Sequence, residues 1–165
     1  MLTTWLTGQD KELYFYRSPG SGAVATINVG NSAISGDIIA LKQEAAFFTD
    51  LFNIEAKNGY DSASMDKHLK ENKNDPLKNF WSQSNIDAKK SNKMPLVIFK
   101  KKGMPNPWIA FNESTYNKLF NLIYNFRVVM IGWGGELPNM YIMNFTDFLS
   151  VVTPKYIKEN FNGSN

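Results

Sequence analysis

Three side chains in this sequence have the types and spacing to hold a hard cation beside an anion. Asp37 follows Gly36 at the start of GDIIALKQEAAFFTDLFNIEAK, and Glu55 and Lys57 close that stretch with Ala56 between them. If Leu51–Lys57 is a strand, alternate side chains face opposite sides. Glu55 and Lys57 then share one face, while Phe52 and Ile54 turn into a core. Mg²⁺ prefers oxygen ligands and keeps several of its waters. Asp37 and Glu55 offer carboxylate oxygens, and the backbone carbonyl of Ala56 a third. Lys57 is suited to orienting an attacking water or to stabilising negative charge on a phosphorane. Phosphodiesters are anionic and slow to hydrolyse, and a divalent ion both neutralises the developing charge and supplies a nucleophile near neutral pH. On spacing alone, two surface carboxylates beside a lysine account for the pattern at least as well.

The elements that must position these groups are unevenly readable. Ile38–Leu41 is a compact apolar run suited to a buried strand. Across Gln43–Phe52 the pattern is ambiguous, because Ala45, Phe48, Leu51 and Phe52 also fit helical spacing. The aromatic content of Phe47-Phe48 and Leu51–Ile54 favours two strands, with Asp50 in a turn between them. Upstream, Met1–Gln9 predicts a short helix and Leu13–Tyr16 a short aromatic strand. Arg17-Ser18-Pro19-Gly20-Ser21-Gly22 is turn chemistry that opens a small, polar loop to Ser35. That loop is either a plain connection or one that closes over a phosphate, with Arg17 as cation and Ser18 and Ser21 as hydroxyl donors.

Downstream, Asn58-Gly59 ends the strand and Tyr60–Pro76 reads as a polar loop with a short helix around Ser64–Glu71. Asp75 is a candidate N-cap, with Pro76 at the first position of a helix over Leu77–Lys90. Leu77, Phe80, Trp81, Ser84 and Ala88 form its apolar face. Met94–Phe99 predicts a buried strand, Lys100-Lys101-Lys102-Gly103 a basic turn, and Trp108–Phe111 the returning strand. A helix follows from Glu113 or Ser114 to about Asn125, with Tyr116, Leu119, Phe120 and Ile123 on one face. Val128–Ile131 and Met140–Met143 predict two more strands around a turn at Gly132–Pro138. Thr146–Val152 predicts a helix broken at Thr153-Pro154, with one further turn after it.

With 165 residues, 43% of them apolar, and 12 Phe, 7 Tyr and 4 Trp, the chain has enough material for one packed domain. A formal charge of +3 permits an anionic partner without demanding one. The absence of cysteine excludes disulfides, Cys-zinc sites and thiol nucleophiles. His68 is the only histidine, which excludes His-rich metal sites and Ser-His-Asp catalysis; it reads as a surface residue. No basic flank precedes an apolar run at MLTTWLTGQD, and no stretch approaches the roughly 20 apolar residues of a membrane span. The expectation is a cytoplasmic protein with no membrane partner.

The order Arg-Ser-Pro-Gly-Ser-Gly, Gly-Asp-Ile-Ile-Ala, Ile-Glu-Ala-Lys, and then a helix carrying Gln83 in FWSQSNIDA resembles the PD-(D/E)xK nucleases. It is most similar to Holliday junction resolvases of archaeal type and to related phage endonucleases. The resemblance covers about Leu13 to Phe111. It implies an α/β, restriction-endonuclease-like fold: a central mixed β-sheet flanked by helices, with the site at one sheet edge. The whole of 1–165 would be a single domain, with its core over about 13–111 and a strand and helix extension over about 112–155. Carried over residue by residue, Asp37 matches the metal-binding acid and Glu55 and Lys57 the Glu-x-Lys pair. Arg17 and Ser21 match the DNA-contacting loop, and Gln83 the helix glutamine beside many such sites. The implied activity is Mg²⁺-dependent DNA cleavage, with Mn²⁺ as a substitute ion, a branched DNA junction as substrate, and a homodimer that cuts two strands. The competing readings are a restriction-like or phage DNA-processing nuclease acting on other DNA, and a non-catalytic DNA-binding or assembly protein with the same fold.

Two departures from the family pattern stand out. Gly36 occupies the proline position of the family name, which is tolerable because the acid binds the metal. The glutamate usually carried by a longer first helix has no room before Arg17, and Glu12 lies too close to the first strand to serve. Basic residues flank the strand at 94–99: Lys89, Lys90 and Lys93 before it, Lys100, Lys101 and Lys102 after it. Either set could touch backbone phosphates, or could be an ordinary solvated helix end and hairpin tip. Trp108 and Trp133 read as packing residues.

Overall fold

Runs rich in β-branched and aromatic residues become strands in the computed structural model of the protein, which describes residues 1–18, 36–58 and 75–161. In chain order the elements are α1 (Leu2–Thr7), β1 (Phe15–Arg17), β2 (Ile38–Ala40), α2 (Gln43–Leu51), β3 (Phe52–Asn58), α3 (Pro76–Lys90), β4 (Met94–Lys100), β5 (Trp108–Phe111), α4 (Glu113–Ile123), β6 (Val129–Ile131), β7 (Met140–Asn144), α5 (Phe145–Val151) and α6 (Pro154–Phe161). Five strands form one mixed sheet in the order β3-β4-β5-β7-β6. β3 and β4 are parallel, as a helical crossover requires, and the remaining neighbours are antiparallel. β1 and β2 make a separate antiparallel pair. The result is an α/β fold of the restriction-endonuclease-like kind, with helices on both faces of a mixed sheet.

Strand alternation divides the interior into two cores. Phe52, Ile54, Leu96, Ile109, Phe111 and Met143 face the larger one, which they share with residues of α1, α2, α4, α5 and α6. Val97, Ala110, Met140 and Ile142 face the smaller one, closed by Leu77 and Trp81 of α3. The N-cap of α3 follows the expected chemistry: the Asp75 side chain accepts from the Leu77 N–H at 2.9 Å and Pro76 opens the helix. Leu77, Trp81, Ser84 and Ala88 are its buried face. The Trp81 indole donates to the Pro138 carbonyl at 2.7 Å, tying α3 to the loop after β6.

Gln43–Leu51 corrects one expectation: it is a helix, where two strands are expected from its aromatic content. Helical spacing puts Ala45, Phe48 and Thr49 on the buried side. The Phe48 ring packs 5.1 Å from Trp5, 5.1 Å from Phe52 and 6.2 Å from Phe15. A ring cluster drawn from α1, β1 and β3 therefore outweighs the local β preference of Phe47-Phe48. The helix ends at Leu51 and the extended C-cap residue Phe52 is already the first residue of β3, so the strand reading of Glu55 and Lys57 survives. Phe120 is a second correction. It is 48% exposed while Leu119 and Ile123 are buried, because α4 presents Thr115 to the core in its place. β2 is half-buried, not buried, and β1 begins at Phe15. α6 runs for eight residues, beyond the single turn expected. The loop from Pro19 to Ser35, the segment with its short helix at 64–71, and His68 lie outside the described residues.

Candidate active site

β3 is the edge strand of the five-stranded sheet, and the main chain around Asp37 is fastened along its open side. The Asp37 N–H donates to the Ile54 carbonyl at 2.7 Å, and the Ser18 N–H donates to the Asp37 carbonyl at 2.8 Å. Gly36 makes this approach possible. Its φ is +92°, and a Cβ there would lie 2.9 Å from both the N and the O of Ile54. A proline, held near φ −65°, cannot adopt that backbone. Glycine at the family's proline position is thus the residue this geometry requires.

The Asp37 side chain is buried, 2% exposed, and its Oδ2 accepts from the Ala56 N–H at 2.9 Å. Within a strand, a residue's N–H and C=O leave on the same side. The Ala56 carbonyl therefore leaves β3 on the open edge, where Asp37 sits. Glu55 and Lys57 lie on the α3 face of β3, opposite Phe52 and Ile54, and form an ion pair. The Lys57 ammonium also sits 5.4 Å from the centre of the Phe80 ring on α3. Burial pushes the Glu55 carboxyl above the ordinary carboxylate range; the hydrogen bond from Lys57 opposes this, and the negative charges of Asp37 and Asp87 reinforce the rise. A carboxyl whose charged form is disfavoured by burial and a neighbouring acid is one that a divalent cation relieves. Two acids and a main-chain carbonyl are hard oxygen donors of the kind Mg²⁺ or Mn²⁺ takes. Among the described residues, no group of three or more acids or histidines gathers as a metal cluster.

Gln83 is exposed on α3 and its Nε2 donates to Asp87 Oδ2 at 2.7 Å. A carboxylate can only accept, so the amide nitrogen faces Asp87 and the Gln83 carbonyl oxygen is left to point elsewhere. Asp87 was not singled out by sequence reasoning. Its signal was the four-residue spacing from Gln83 on a helix, which makes the two side chains neighbours. Asn53 was missed as well, although period-two alternation puts it on the Glu55 face.

Arg17 is exposed at the end of β1, and Ser18 is buried. Ser21 lies outside the described residues. Lys100 pairs in register with Asn58, so Lys100, Lys101 and Lys102 belong to the end of the sheet nearer Lys57. Lys89, Lys90 and Lys93 belong to the opposite end, where Met94 pairs with Phe52. Lys90 bonds Asp87 at 3.2 Å. Glu12 is paired with Lys42. No described helix is long and apolar enough to cross a membrane.

Compared with known proteins, the chain matches the family described as "Phage putative PDDEXK endonuclease" over residues 1–159. No curated protein and no solved structure matches it.

Proposed function

The chain belongs to this family of phage PDDEXK endonucleases, and from that premise we propose that it is a divalent-metal-dependent endodeoxyribonuclease with Asp37, Glu55, Lys57 and Gln83 as its catalytic set. One observation carries the assignment: the buried Asp37 carboxylate is fastened to the N–H of Ala56, the residue between Glu55 and Lys57. Asp37, Glu55 and the Ala56 carbonyl hold the cation, Mg²⁺ first and Mn²⁺ as substitute. When bound, the cation supplies the Lewis-acid charge that phosphodiester hydrolysis needs near neutral pH. Lys57 keeps a positive charge on the same face, where it offsets negative charge gathering on the phosphate. Gln83, its amide nitrogen engaged by Asp87, presents a carbonyl oxygen that can accept a hydrogen bond from an attacking water and so orient it. Arg17 and the Lys100–Lys102 turn contact backbone phosphates, a salt-sensitive and sequence-independent contribution.

The likeness to junction resolvases makes branched DNA the substrate proposed, and a homodimer the active form. The test is cleavage of a labelled four-way junction and a linear duplex, each with Mg²⁺ and with EDTA. The expected outcome is metal-dependent cutting of the junction that drops by at least about a hundredfold in Asp37→Ala, Glu55→Ala and Lys57→Ala. Binding without cutting would identify a non-catalytic DNA-binding protein, and cutting of linear duplex alone a restriction-like nuclease.

A further inference from the structure

Buried polar atoms in folded proteins nearly always have a hydrogen-bond partner, and each exception calls for a physical reason. Among the described residues the exceptions are both amide atoms of Asn53, the Ser84 hydroxyl and the Lys93 ammonium. Lys93 precedes β4, outside the pairing that begins at Phe52 and Met94, whereas Asn53 lies within β3. Asn53 is 1% exposed and stands two residues before Glu55 on the same face of β3. Its Oδ1 lies 3.3 Å from where a Cβ at Gly36 would be, next to Asp37. The amide therefore sits between the two stretches of backbone that carry the site's carboxylates. Ser84 is buried on α3, one helical turn beyond the Phe80 ring that covers Lys57. An asparagine amide offers two donors and two acceptor positions, and an apolar side chain of the same size would fill the space without leaving them unmet.

We propose that Asn53 is a positioning residue of the site: its amide takes up its hydrogen bonds when a divalent cation draws Asp37 and Glu55 together, fixing the Gly36–Asp37 turn against β3. The inference rests on the proposed function. A bond made only in the loaded state raises cation affinity without stabilising the cation-free protein, since a ligand is favoured only by what differs between the two states. Asn53 is too deeply buried to touch substrate, so its effect passes through the two carboxylates.

The test compares wild type with Asn53→Leu, and with the smaller Asn53→Val should leucine disturb the fold. Melting temperature is read with EDTA and over a Mn²⁺ titration, beside Mn²⁺-dependent DNA cleavage. With EDTA the variant is expected to melt at or above the wild-type temperature. Its Mn²⁺-induced rise should be less than half that of wild type, and the Mn²⁺ concentration for half-maximal cleavage at least tenfold higher. A variant that melts several degrees lower with EDTA yet keeps the full Mn²⁺ response would make Asn53 an ordinary packing residue and overturn the proposal. An unchanged melting temperature with an unchanged Mn²⁺ response overturns it equally, while wild-type cleavage leaves the nuclease reading standing. A wild type that neither responds to Mn²⁺ nor cuts DNA overturns the nuclease reading itself, and the role of Asn53 with it.

Discussion

Glu55 is a side chain through which pH acts on this protein. Its carboxyl is raised above the ordinary value of 4.5, first by burial and then by the negative charges around it, against the bond from Lys57. The folded chain thus holds the Glu55 proton more tightly than the unfolded chain does. Across the window from 4.5 up to the raised value the folded state binds more protons, so stability falls as pH rises. The Glu55 contribution is fully present below 4.5 and lost above the folded pKa. Without divalent metal, Glu55→Gln should therefore melt above wild type at pH 7, with the gap closing toward pH 4, while cleavage is abolished; paired thermal melts across pH check this. Much of this was legible in the sequence. The alternation of Phe52, Ile54, Glu55 and Lys57 announces one apolar and one charged face. Gly36 was legible only as a departure from a motif, because its positive φ and the backbone packed against it depend on a strand eighteen residues later. Asn53 also alternates onto the charged face, but its lack of partners appears only once α3 is packed over it.

At the scale of elements, legibility followed how local the deciding forces are. α3 announces itself through Asp75, Pro76 and an apolar stripe, all within one segment. Because the Asp75 carboxylate satisfies the Leu77 N–H, Asp75→Ala should cost about 1 kcal/mol. Urea unfolding should show this as a lower midpoint with an unchanged slope. The aromatic residues of α2 suit strands, and what makes it helical is a ring cluster assembled from Trp5, Phe15, Phe48 and Phe52. α4 was located correctly, but which of its aromatic residues face solvent depended on Tyr141 of β7, whose ring stacks on Tyr116 at 4.3 Å.

The whole molecule places the candidate site on β3 at one edge of the sheet and β6, paired only with β7, at the other. Strand order of this kind is not written in any segment: β7 inserts between β5 and β6, so sequence neighbours alone do not give it. Val129 and Met130 of β6 are exposed, Met130 by 55%. An apolar sheet edge is a template for pairing with a second chain, which supports the proposed homodimer and keeps its interface away from the site. Met130→Lys is expected to convert the dimer to a monomer in light scattering; a wild-type monomer at micromolar concentration would remove the dimer from the proposal. The seam between α2 and β3 has a consequence of its own. Because the C-cap of the helix is the first residue of the strand, there is no slack to absorb a change in length. One residue inserted there would exchange the two faces of β3 and turn Glu55 and Lys57 into the aromatic interior. Insertions and deletions are therefore barred from this seam, while point substitutions are not.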